Sequence, residues 1–88
     1  MIKRSLAMAK KNDFVVYFYD EAKNKNYVHY QNKRMYTNPN PKLAWEVNHN
    51  QAVSILAKRG QQFGGGFETH ATAYANYVVD NQIPADQI

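Results

Sequence analysis

A chain of 88 residues and 10.2 kDa has room for one core, and 44% hydrophobic with 14% aromatic residues is the composition of a folded domain, not of a disordered tail. It contains no cysteine, which excludes a disulfide-stapled scaffold, a thiolate metal site and a cysteine nucleophile. All eleven basic residues precede Gly60, where the only acids are Asp13, Asp20, Glu21 and Glu46, so residues 1–60 carry +7 and residues 61–88 carry −3.

In chain order, residues 1–12 hold Lys3, Arg4, Lys10 and Lys11, with Ile2, Leu6 and Ala9 at near-helical spacing. They read as a basic N-terminal arm or a short amphipathic turn ahead of a single domain at 13–83. The start is basic but lacks the apolar middle of a secretion signal, and no apolar run approaches the ~20 residues of a membrane span. A cytoplasmic setting without membrane contact is the expectation.

Asp13–Tyr19 is β-branched and aromatic throughout, the composition of a strand. Asp20–Asn26 is polar, and strand-like residues resume over 27–36, giving an antiparallel hairpin or small meander. Asn38-Pro-Asn-Pro41 must be a loop, because its two prolines lack the N–H that a ladder needs. A short further strand is a candidate at 43–47.

Asn48 is placed to cap a helix over 49–59, with Ala52, Ile55 and Leu56 on one stripe and Gly60 as the left-handed residue after its end. Gln61–Phe67 reads as a flexible glycine-rich connector. Residues 67–80 fit both a helical stripe and a strand alternation; their length and alanines favour a helix. Pro84 is a stop, and 84–88 should fray. The expected class is α+β, an antiparallel hairpin or meander packed by one helix, with a second helix or a strand following.

The candidate sites are these. His29, His49 and His70 lack the close spacing of a metal helix, so no metal or other cofactor is expected, and His29 should be a surface residue. Phe63-Gly-Gly-Gly-Phe67 has no following Lys-Ser or Lys-Thr and carries Glu68, so it reads as a connector before it reads as a phosphate cradle. No serine sits in a nucleophile elbow and no catalytic spacing appears, so an enzyme is not expected.

The hairpin region interleaves aromatics with cations. If Phe14, Val16 and Phe18 face the core, Val15, Tyr17 and Tyr19 face outward. Tyr17, Tyr19, Lys23, Lys25, Tyr30, Lys33 and Arg34 are therefore the candidate binding residues. Tyrosine and arginine are enriched at protein interfaces, which favours a non-catalytic module that binds a protein partner or a second copy of itself through the tyrosine-rich face or its edge. The alternative is a nucleic-acid binder that stacks bases on the tyrosines and holds phosphates with the cations.

Overall fold

Among the described residues four strands and two helices follow in the order β1 (Phe14–Tyr19), β2 (Lys25–Gln31), β3 (Arg34–Asn38), α1 (His49–Arg59), β4 (Gly65–Thr69) and α2 (His70–Asp80), with a 3-10 turn after them at Ala85–Gln87. The computed structural model describes residues 12–59 and 62–87. The arm expected at 1–12, apart from Asn12, and the Gly60 cap lie outside them. The sheet is fully antiparallel in the order β3-β2-β1-β4, so the α+β class is observed.

Both sheet faces are covered. Val16 and Val28 pack under α1 with Val47, Ala52, Ile55 and Leu56, and Phe14, Phe18, Trp45 and Phe67 close the margin of that cluster. On the opposite face Val15 and Tyr27 pack with Ala44 and with Ala73 of α2, and Tyr17 lies against them. The face expected to turn Val15, Tyr17 and Tyr19 outward is thus closed by the second helix. Phe14, Val16 and Phe18 do share the α1 face, but with a helix on each side Val15 and Tyr17 are inward as well.

Segment 67–80 carries both signals because it is both structures. Thr69 ends β4 in an extended conformation (φ −66°, ψ 150°), and its Oγ1 accepts from the Thr72 N–H, capping α2 with no intervening loop. Gly65 and Gly66, expected in a connector, are ladder residues of β4 opposite Phe18 and Tyr17. Of these three glycines only Gly64 has a positive φ, at 106°. The strand-like 27–36 region is two strands separated by a turn at Asn32–Lys33, as a meander requires, and 43–47 contributes only one bridge, Val47 to Phe14.

That bridge shapes the molecule. β1 and β2 pair over Tyr17–Tyr27 to Tyr19–Lys25. Beyond Tyr27 the segment Ala44–Val47 is wedged between them: Phe14 and Val47 exchange two main-chain hydrogen bonds (3.0 and 2.8 Å), and the Trp45 N–H donates to the Val28 carbonyl (3.0 Å). The β2–β3 hairpin therefore extends past the end of the β1–β2 pairing as an arm of the sheet, and all five residues of β3 are exposed.

The α1 cap is as expected, with the Gln51 N–H donating to Asn48 Oδ1 at 2.8 Å. Replacing Asn48 with Ala should cost about 1 kcal/mol in a urea titration, since the freed N–H then relies on water. An unchanged midpoint would show that the cap contributes nothing.

Candidate functional site

The seven candidate binding residues separate into three groups. Tyr17, Tyr19 and Lys25 share the α2 face. The Tyr17 and Tyr19 rings meet edge to face at 5.8 Å, and Lys25 Nζ stands 4.1 Å above the Tyr17 ring. Lys23 sits in the β1–β2 turn at φ 70°. Tyr30, Lys33 and Arg34 lie at the other end of β2, about 20 Å away at ~3.3 Å per strand residue. One surface does not contain them all.

Lys25 is also committed internally. Its ammonium donates to Glu68 Oε2 at 2.9 Å, and the hydroxyl of Tyr27, a residue 3% exposed, donates to the same oxygen at 2.9 Å. Burial, together with that Glu68 bond, pushes the Tyr27 hydroxyl up to about 12 from 10.0. For Lys25 burial works the other way, but the hydrogen bonds to Glu68 and Tyr27 outweigh it, and its pKa lies above 10.5. Both folded values are raised, so the stabilisation is complete below about pH 10 and is lost as pH climbs through the folded values toward 12. Melting temperatures should fall across that window, and Tyr27→Phe should fall less steeply than the parent. Parallel curves would remove Tyr27 from the account.

The histidines are occupied by neighbours. His70 Nε2 donates to the Pro41 carbonyl (2.8 Å), and Nδ1 lies 2.7 Å from Glu46 Oε2. His29, expected on the surface, is 5% exposed; its Nε2 donates to the Asn40 carbonyl (2.9 Å), and its ring stacks on Tyr36 at 5.2 Å. It is buried because the loop after β3 folds back over the arm, a long-range contact that strand alternation cannot show. His49 meets Phe14 and Phe67 edge to face. Among the described residues no group of three or more His, Asp or Glu is placed to hold a metal ion, and no helix is long and apolar enough to cross a membrane.

The arm gathers the remaining exposed aromatics. Asn32 and Lys33 have φ 54° and 63°, the mirror-image two-residue turn whose twist matches a hairpin. With that turn Gln31 and Arg34 form the first hydrogen-bonded pair, and bonded pairs then recur at His29–Tyr36 and Tyr27–Asn38. Met35 and Thr37 must therefore aim their N–H and C=O groups away from β2. Val28, opposite Thr37, follows the same alternation: its carbonyl points away from β3, to the Trp45 N–H. Among the described residues nothing pairs with the outer edge of β3.

Side chains flank this edge on both faces. On the α1 face Tyr30, 48% exposed, stacks on Trp45 at 4.6 Å and stands opposite Met35. On the α2 face a cleft of about 230 Å³ is lined by His29, Tyr36, Asn38, Asn40, Lys42 and Leu43. Met35, Thr37, Lys42, Leu43 and Trp45 were not among the sequence candidates. An Asn-x turn between two strand-like runs is the signal that would have fixed which β3 residues face outward; lysine in place of the usual glycine hid it.

Comparison with family models, with curated proteins and with solved structures finds no match to this chain.

Proposed function

We propose that this chain is a small, non-catalytic protein-binding module that takes an extended segment of a partner onto the outer edge of β3. A cytoplasmic setting belongs to the same proposal, since a domain without cysteine depends on no oxidising compartment. The observation that carries it is the unpaired edge itself: Met35 and Thr37 each offer one donor and one acceptor at strand spacing. Free edges of natural sheets are normally blunted by short length, charge, proline or a bulge; β3 has Arg34 at its start and Pro39 just after its end, but Met35-Tyr36-Thr37 between them carries no charge or proline. Strand addition satisfies both kinds of main-chain group at once, with side-chain pockets alternating beside it.

The nucleic-acid reading draws support from Lys33, Arg34 and Lys42 on the same arm. Phosphate only accepts hydrogen bonds, however, so the outward Met35 and Thr37 carbonyls would be left to base N–H groups or water. The protein reading satisfies them.

Panning a displayed random-peptide library against the immobilised protein tests it. Extended peptides rich in β-branched and aromatic residues should be enriched, and their binding should be lost with Thr37→Pro, which deletes an outward N–H while sparing the ladder to β2. No enrichment, or enrichment indifferent to that substitution, would overturn the reading.

A further inference from the structure

From Ala22 to Trp45 the chain carries Lys23, Lys25, Lys33, Arg34 and Lys42 and no acidic residue. Lys25 is neutralised by Glu68, and Lys23 is at the far turn, which leaves Lys33 and Arg34 on the β2–β3 hairpin and Lys42 beside it, the last also lining a second cleft with Asp13 and Glu46. Arg34 shares the α2 face with Tyr36 and Asn38 by strand alternation, and Lys42 lines the cleft beside Tyr36 and Asn38. The α2 side of the edge therefore reads cation, aromatic, cation. The α1 side, with Met35 beside Tyr30 and Trp45, is apolar.

We infer that the occupant of the β3 edge is an acidic, extended segment of a partner protein, with acids on one face and apolar residues on the other in the order acid, apolar, any residue, apolar, acid. This rests on the strand-addition reading above and adds the chemistry of the partner. Opposite Met35 and Thr37 the apolar residues of the segment meet the Tyr30–Trp45 side. Opposite Arg34 and Asn38 its acids meet Arg34 and Lys42. The pattern is the same read in either direction, so it fits both strand orientations. A second copy of the chain fits less well, because antiparallel pairing of two β3 edges sets Arg34 of each opposite Asn38 of the other, where Lys42 stands, cation toward cation.

The test uses the capped peptide Ser-Glu-Val-Tyr-Val-Glu-Ser, a version with both glutamates changed to lysine, a composition-matched peptide with the alternation broken, and a mixed-sequence single-stranded oligonucleotide. Titrations are followed by backbone amide shifts in the full chain, which also confirm that each variant is folded. The glutamate peptide should move the Met35 and Thr37 amides and bind at least about tenfold more tightly than the lysine and scrambled peptides. Thr37→Pro should abolish that preference, and Arg34→Glu, at an exposed position, should transfer it to the lysine peptide. Equal affinity for both charge forms, a shift map away from β3, self-association of the free protein through β3, or binding of the oligonucleotide alone would each overturn the inference. If panned peptides respond to Thr37→Pro but carry no acid, the strand-addition reading survives and this inference fails.

Discussion

His70→Ala is expected to lower folding stability by about 3 kcal/mol, because two hydrogen bonds vanish and a buried carbonyl loses its donor. Pro41 is among the most fully buried residues, so its carbonyl has little recourse to water once the imidazole is gone. His70 also opens α2, and its own N–H donates to the Asp13 carbonyl at 2.9 Å. One residue thus ties the 39–47 loop to both α2 and the start of β1. That loop carries Lys42, Leu43 and Trp45, so the same substitution should weaken capture of the acidic peptide although none of the lost bonds faces it. Urea unfolding followed by emission from Trp45, the single tryptophan, measures the first effect, and the peptide titration measures the second. His70→Gln, which keeps a donor for one of the two acceptors, should fall between. A stability loss under 0.5 kcal/mol for His70→Ala, about the scatter of surface substitutions, would show that the clamp is dispensable.

How much of this was legible in the sequence differs by the range of the interaction. Phe14–Tyr19 as a strand, Asn48 as a cap and the Ala52, Ile55, Leu56 stripe are local signals, and the structure contains each of them. The 67–80 ambiguity was real: period 2 belongs to Gly65–Thr69 and period 3.6 to His70–Asp80, and Thr69 serves as the last residue of one and the cap of the other. Long-range placement was not legible. Nothing near Tyr17 or Lys25 in sequence indicates that Glu68, 43 residues from Lys25, will take the ammonium and remove it from any binding surface. Nothing near Val28 indicates that Trp45 will enter between β1 and β2 and push the hairpin out as an arm.

This separation also explains why the tyrosine-rich region yields two different environments. Tyr17 and Tyr27 lie on the part of the sheet that α2 covers, and their hydroxyl and ring faces are used by Glu68, Lys25 and each other. Tyr30 and Tyr36 lie beyond the wedge, where neither helix reaches, and remain 48% and 42% exposed. The composition of the two parts is alike. What differs is whether β2 is still paired with β1, and that is decided by the Ala44–Val47 segment.

Gly65→Val is expected to be as damaging as the loss of His70, again about 3 kcal/mol, by overpacking. A β-carbon at this position would lie 2.9 Å from the Tyr17 carbonyl oxygen, 3.1 Å from the Phe18 ring and 3.4 Å from a Leu56 methyl. The first neighbour is main chain in the β1–β4 ladder and cannot step aside without opening it; the third is α1, which packs this closely on β4 because no side chain intervenes. Gly66→Ala supplies the contrast. Its β-carbon would meet the Tyr17 hydroxyl at 2.7 Å and Cζ at 3.0 Å, the far end of a side chain that can swing, so the cost should be nearer 1 kcal/mol. Urea midpoints for the two variants rank them directly, and a larger loss at Gly66 would mean that the Tyr17 ring is fixed beneath Lys25 more firmly than the main chain is fixed in its ladder. The two glycines should also differ in what they disturb. Gly65 lies against α1 on the Val16–Leu56 core, whereas Gly66 faces the Tyr17–Lys25–Glu68 group, so only the Gly66 variant should alter the alkaline decline in melting temperature that Lys25 and Tyr27 produce.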